Sequence, residues 1–418
     1  MNVFSIIAFM CKVVAGHVKA LLGQVGGHRQ DKAVAKGKAE GRRTAYSPQE
    51  IEDYLNGHYD FRYNTLTGKN EYRRKGEGEF TLVDDRHMNA LCIDVQKQGM
   101  VCWDSDMKRL VNSTFVPEYQ PIEAYVSSLP EWDGRDRATD LLSRVSGDGR
   151  WLRMGRKWLR AVVTQWMGVD HGHGNSLCPI LVSVEQGMNK SSFCRALVPK
   201  ALSAYYTEQL DLSASSRADE KLACMALINI DEFDRMGERQ TARLKMLMQE
   251  AKVNTCRKYQ SFSREMPRMA SFIATSNHHD LLTDPTGSRR FLCVDVEQKI
   301  DLGGIDMDMV YAQMRYEVEQ GGQYWLTRDE EDELQAANRA FYQTQPVMEA
   351  FSTCFRKADE GEECVRVSLA EIMSEVAKAH PVMMRGMTPR LFGNALTCAG
   401  VRKVHTREGN RYLVRLKD

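Results

Sequence analysis

Ile180-Leu181-Val182-Ser183-Val184-Glu185-Gln186-Gly187-Met188-Asn189-Lys190-Ser191-Ser192-Phe193 joins a short apolar run to a polar loop and a helix start, and the fold turns on its reading. An apolar run that ends in turn residues and a helix is how a strand buried on both faces reads. Three more such runs follow, at Ala226–Ile230, Phe272–Ala274 and Phe291–Val296. Helical patterning fills the intervals at Ser191–Leu197, Ala218–Cys224 and Glu238–Glu250. Strands alternating with helices predict an α/β core built on a parallel sheet. Right-handed crossovers then bring the C-terminal strand ends to one edge, where such sheets bind ligands.

The residues at those strand ends are chemically specific. A loop of the form Gly-x-x-x-x-Gly-Lys-Ser surrounds phosphates with backbone N–H groups and a helix N-terminus; its lysine reaches the terminal phosphates and its hydroxyl holds magnesium. Lys190, Ser191 and Ser192 fit, and Gly187 lies inside the loop, but Val184 and Asn189 occupy the two glycine positions. Asparagine tolerates the left-handed backbone that costs an ordinary residue about 1–2 kcal/mol, whereas β-branched Val184 suits a positive-φ turn poorly unless the strand runs one residue longer. Asp231-Glu232 ends the second run: the aspartate is placed to hold Mg²⁺ and the glutamate to polarise an attacking water. Asn277 closes the third run and can orient that water, while Arg289 and Arg290 can neutralise transition-state charge.

These spacings predict ATP bound by Gly187, Asn189, Lys190, Ser191 and Ser192, Mg²⁺ on Ser191 and Asp231, and catalysis by Glu232, Asn277, Arg289 and Arg290. Two functional readings stay open. One is an ATP-dependent motor; the other is a nucleotide-silent, motor-derived DNA-binding or assembly subunit, for which the missing glycines argue. Between the second and third runs, Arg257-Lys258-Tyr259-Gln260-Ser261-Phe262-Ser263-Arg264 and then Arg268 interleave cations with aromatics. That pattern suits a nucleic-acid strand, with Arg257, Lys258, Arg264 and Arg268 on its backbone. A solvated hairpin with its aromatics turned inward is the other reading.

On these residues the chain resembles the virulence-associated protein E family of phages and mobile elements, over roughly 47–301. The more specific marks are Leu129-Pro130-Glu131-Trp132-Asp133-Gly134, Gly155-Arg156-Lys157-Trp158, Ile230-Asp231-Glu232-Phe233 and Asp284-Pro285-Thr286-Gly287-Ser288-Arg289-Arg290-Phe291. The resemblance implies a P-loop NTPase core of the AAA+/superfamily 3 helicase type, acting on DNA in replication as a homo-oligomeric ring, possible as a hexamer. It implies that Lys190 and Ser191 bind the triphosphate, that Asp231 and Glu232 form the acidic pair, that Asn277 is the sensor, and that Arg289 or Arg290 serves a neighbouring subunit. The chain departs from the family at Val184 and Asn189, which bears on activity rather than fold. No primase domain is expected before the motor, so priming would come from a separate primase chain.

The remaining sequence divides as an N-terminal helix and basic linker (1–46), an α-rich region with a hairpin (47–170), the ATPase core (171–305), a helical connector (306–360) and a winged-helix-like unit (361–418). Phe4–Cys11 is too short to span a bilayer, which takes about 20 apolar residues, so no membrane span is expected. Gly23–Thr44 carries Arg29, Lys32, Lys36, Lys38, Arg42 and Arg43 without apolar periodicity and reads as a linker or a phosphate-binding arm. Arg153, Arg156, Lys157 and Arg160 fall largely off the apolar stripe of a helix over 151–168, as a solvated face or a nucleic-acid strip. His171 and His173 make a weak metal signal. In the tail, two helices and a hairpin around Gly409-Asn410 carry many more cations than acids from Arg385 onward, which suits a DNA backbone. With 57 Lys and Arg against 56 Asp and Glu, nucleic-acid binding must come from local patches. The 11 cysteines form no CxxC pair, as expected of a reduced, cytoplasmic chain.

Overall fold

The computed structural model describes residues 48–168, 174–213, 215–255, 264–283, 288–342, 346–359, 361–407 and 409–417. The expected N-terminal helix and basic linker, His171 and His173, Arg257 and Lys258, and the 284–287 turn lie outside the described residues. Helix α1 (Pro48–His58) leads into the hairpin β1 (Tyr59–Asn64) and β2 (Lys69–Arg74). Gly68, with φ of 68°, supplies the left-handed turn residue between them. Strand β3 (Thr81–Leu82), α2 (Asp85–Lys97), α3 (Asp104–Val111) and β4 (Glu118–Tyr119) complete a unit with sheet order β3-β2-β1-β4. Its core, around Leu55, Leu91, Val95 and Met107, is its own.

Helices α4 (Pro121–Ser128), α5 (Arg137–Ser143) and α6 (Gly149–Trp166) follow. The division expected at residue 170 needs correction, because these three helices bury their apolar faces in the same core as the central sheet. Trp151, Trp158 and Trp166 of α6 are fully buried, and their indole N–H groups donate to the Leu142, Phe272 and Ala226 carbonyls at 2.8, 3.2 and 3.2 Å. Two of those acceptors belong to the sheet region, so α6 is fastened to it by hydrogen bonds as well as by area.

The central sheet contains β5 (Cys178–Val182), β6 (Tyr206–Thr207), β7 (Leu227–Ile230), β10 (Ser271–Ser276) and β11 (Phe291–Asp295). Its order is β11-β5-β10-β7-β6, every pairing parallel. Between the strands lie α7 (Lys190–Ala196), α8 (Ser215–Cys224), α9 (Glu238–Leu247) and the hairpin of β8 (Lys252–Thr255) and β9 (Arg264–Pro267). Side chains alternate between two cores. Leu181, Leu227, Ile273 and Leu292 face α6, while Ile180, Ile228, Phe272 and Phe291 face the side of α8 and α9. Both faces are therefore covered, which is why these strands read as unbroken apolar runs.

Helices α10 (Met307–Glu319) and α11 (Arg328–Ala337) return over α6. The cationic strip of α6 is taken up by acids, with Arg156, Lys157 and Arg160 partly buried and Arg153 paired but exposed. Arg156 pairs with Asp136 at 2.7 Å and Glu317 at 2.5 Å, Arg160 with Glu317 at 2.7 Å, Lys157 with Glu330 at 2.7 Å and Arg153 with Glu333 at 2.6 Å. The last unit holds α12 (Pro346–Cys354), β12 (Phe355–Lys357), β13 (Val365–Ser368), α13 (Leu369–Ala379), α14 (Pro389–Cys398), β14 (Lys403–Thr406) and β15 (Gly409–Leu416). Val347, Phe351 and Phe355 share its core with Ile372, Phe392 and Val414. The C-terminal unit thus begins near residue 346 rather than 361. Among the described residues no helix is long and apolar enough to cross a membrane.

Candidate functional site

Parallel pairing sends the chain out of β5, β7 and β10 on one edge of the sheet, and the polar residues gather there. Lys190, at the start of α7, is buried at 8 % exposure, and its Nζ donates to the Ser183 carbonyl and to Asn277 Oδ1, each at 2.9 Å. Burial pushes the ammonium's pKa below the ordinary lysine value, against the opposing pull of Asp231 and Asp234. A desolvated ammonium whose acceptors are both neutral favours an incoming anion.

The loop before it adopts its conformation without the two glycines. Asn189 has φ of 64° and ψ of 22°, the left-handed region that asparagine tolerates. Its Nδ2 donates to the Ile300 carbonyl at 3.0 Å, while the Ile300 N–H donates to the Met188 carbonyl at 3.2 Å. Gly187, with φ of 78°, takes the other left-handed position. Val184 does not have positive φ, and its side chain is 67 % exposed. The strand expected to reach Val184 ends at Val182, so the branched side chain falls where the turn imposes no left-handed backbone.

At the end of β7, Asp231 Oδ1 accepts from Ser191 Oγ at 2.9 Å and from Thr275 Oγ1 at 2.5 Å. Glu232 stands in the left-handed region at φ 54°, ψ 52°, and its carboxylate pairs with Arg235 at 2.6 Å. A glutamate gains nothing locally from that conformation, so the tertiary environment holds it there. Asp234 accepts from Ser276 Oγ at 2.9 Å and from the Asn277 N–H at 3.3 Å, fixing the turn that presents the Asn277 amide. Ser192 lies exposed on the first turn of α7. Lys190 with Asn277 and Ser191 with Asp231 are thus two hydrogen-bonded pairs, set side by side because Lys190 and Ser191 are consecutive at the start of α7.

Thr275, Asp234 and Ser183 were missed by sequence reasoning. The period of two along β10 puts Thr275 on the same side as Asn277, and Asp234 follows Asp231 by three residues, but neither spacing is distinctive. Among the described residues no group of three or more His, Cys, Asp or Glu is placed to hold a metal. A hydroxyl–carboxylate pair such as Ser191 and Asp231 matches a Mg²⁺ shell completed by phosphate oxygens and water.

Arg289 and Arg290 do not join the cluster. They form a short turn, Ser288–Arg290, just before β11, and Phe291 pairs with Cys178 at the start of β5. The length of a five-residue strand, roughly 13 Å at 3.3 Å per step, separates them from the Lys190 edge. Arg289 pairs with Glu331 at 2.9 Å, and both arginines line a cleft of about 380 Å³ with Asn175, Gln249, Tyr324 and Trp325. Of the expected nucleic-acid contacts, Arg264 is exposed at the start of β9. Arg268 is not available to a ligand. It is 2 % exposed, donates to the Leu247 and Asn175 carbonyls at 2.8 and 2.7 Å, and has its pKa pushed down to about 10 by burial.

Comparison with known proteins adds the following. No curated protein matches the chain. Among solved structures, the apo C-terminal region of NrS-1 (305–718) is similar at 10% identity and a TM-score of 0.43, over 88% of this chain and 99% of that one. A second, A-form apo structure of the NrS-1 C-terminal region gives 10% identity and a TM-score of 0.41, over 89% and 100%. Residues 344–414 match a domain of unknown function (DUF3874) from a B. Theta gene description. That boundary agrees with the start of the C-terminal core at Val347. Residues 126–343 match the model of the virulence-associated protein E-like domain, a span that includes the end of α4, all of α5 and α6, all five parallel strands and the Lys190 cluster. More than half of the chain lies within that match, and the chain belongs to the virulence-associated protein E-like family.

Proposed function

We propose that the chain is an ATP-dependent, helicase-like motor that acts on DNA in the replication of a phage or mobile element, with a P-loop NTPase core of the superfamily 3 type. The observation that carries the reading is the meeting of Lys190, Ser191, Asp231 and Asn277 at one sheet edge, where Lys190 bonds Asn277 and Ser191 bonds Asp231, each at 2.9 Å. Lys190, with the loop and α7 backbone, would hold the triphosphate; Ser191 and Asp231 would hold Mg²⁺, which supplies charge neutralisation at the transferring phosphate. Glu232 and Asn277 would place and polarise the attacking water.

Arg289 and Arg290, at the far edge, suit the site of a neighbouring copy in a head-to-tail ring rather than their own. The nucleotide-silent alternative rests on Val184 and Asn189. In this fold neither residue forces strain on the loop, which supports turnover.

The deciding experiment is ATP hydrolysis with single-stranded DNA by the native chain, Lys190→Ala, and Val184→Gly/Asn189→Gly. The native chain should exceed Lys190→Ala by roughly 10²-fold or more, as removal of a main phosphate ligand implies. If it matches Lys190→Ala while the glycine-restored loop hydrolyses ATP, the silent reading holds instead.

A further inference from the structure

The sequence from Val376 to Arg407 contains Lys378, Arg385, Arg390, Arg402, Lys403 and Arg407 and no aspartate or glutamate, in a chain whose cations and acids otherwise nearly balance. The fold sorts these charges. Three acids of the C-terminal unit are committed to cations within it: Glu362 takes Arg356 and Arg415, Glu371 takes Arg411 at 3.2 Å, and Glu375 takes Lys378 at 2.6 Å. Arg402 is turned onto the Ala358 and Asp359 carbonyls. Arg385, Arg390, Lys403 and Arg407 remain exposed.

Three elements present them. Arg385 lies in the turn before α14, Arg390 in its first turn, and Lys403 and Arg407 on the β14–β15 hairpin. Helix α14 buries Phe392, Ala395 and Leu396. Arg390, Leu391, Asn394 and Thr397 therefore make up the outward stripe at helical spacing, with Arg390, Leu391 and Thr397 exposed and Asn394 half-buried. The hairpin flanks this helix. Lys403 sits opposite Tyr412, and the Tyr412 hydroxyl lies 3.3 Å from where a Cβ on Gly393 of α14 would stand. Residues directly opposite across a strand pair share a sheet face, so Lys403 projects on the side that carries α14.

We infer that this face binds duplex DNA, with α14 entering the major groove and the β14–β15 hairpin lying on the flanking phosphates. An arginine, an asparagine and a threonine along one exposed helix stripe are side chains that hydrogen-bond base edges in that groove. The cations on either side of the stripe supply the backbone contacts that position such a helix. An acidic protein surface would be met by the same charge, but it has no need of a polar stripe between two cationic flanks. The inference does not depend on nucleotide hydrolysis.

The test uses the full chain without nucleotide and a blunt, mixed-sequence duplex, with affinity followed against salt concentration. Arg385→Ala/Lys403→Ala/Arg407→Ala should weaken binding roughly tenfold or more and flatten the log–log salt slope by about 3, one phosphate contact per cation. A major-groove dye such as methyl green should displace the native chain, and a minor-groove ligand such as netropsin should not. Circular dichroism and an unchanged thermal midpoint of the triple variant confirm that it is folded. Unchanged affinity and slope, or displacement by netropsin alone, would overturn the inference while leaving the ATPase reading untouched.

Discussion

Lys190 illustrates how one side chain can be costly to the fold and useful to the site. Its ammonium is taken out of water and given two neutral acceptors, the Ser183 carbonyl and Asn277 Oδ1. Its folded pKa lies below the unfolded value, so the cost is present at neutral pH and is relieved as pH rises through the lowered value toward 10.5. Lys190→Met should therefore raise the thermal midpoint by a few degrees at pH 7, while abolishing nucleotide binding. The advantage should shrink as the midpoint is measured at increasing pH up to about 10.5. A variant no more stable than the native chain at pH 7 would mean that the cluster already compensates the charge. Asn189 shows the complementary case, since a residue foreign to the glycine pattern fits because it tolerates the left-handed region and bonds to Ile300.

Among the elements, α6 does most to join the parts of the domain around the central sheet. Its tryptophans reach Leu142, Phe272 and Ala226, and its cations are neutralised by Asp136 and by acids of α10 and α11. Gly155 lets α5 come close, since a Cβ there would stand 3.0 and 3.3 Å from the two methyl carbons of Leu142. Gly155→Val should lower unfolding stability by about 1–3 kcal/mol, the usual cost of overpacking a filled core. Urea denaturation checks this, and an unchanged midpoint would show that Leu142 moves aside freely. The α6 pattern in sequence gave its apolar stripe correctly, but the fate of its cations depended on acids more than a hundred residues later.

At the scale of the molecule, the two ends of the parallel sheet carry unlike chemistry. Lys190, Asp231 and Asn277 stand at one end, and Arg289 and Arg290 precede β11 at the other. If the arginines serve a neighbouring copy, Lys190→Ala and Arg289→Ala/Arg290→Ala should each hydrolyse little ATP alone. A mixture should recover activity, because a ring containing both would pair intact loops with intact arginines. Failure to recover, with mixed oligomers verified by light scattering or cross-linking, would remove the arginines from the neighbour's site.

Much of this organisation was legible in the sequence because burial on both faces leaves a plain signature. Four of the five central strands announce themselves as apolar runs, and Lys190, Asp231 and Asn277 follow them closely enough to be singled out. The fifth strand, Tyr206–Thr207, is too short to show any period. Tertiary structure alone decided three matters. It made Arg268 a buried cation capping the Leu247 and Asn175 carbonyls, drew α4–α6 into the core of the sheet, and began the C-terminal unit with α12. The physical reason is the same in each case. Periodicity records whether a residue is buried, a local property of the chain, whereas what it is buried against is settled by contacts between segments distant in sequence.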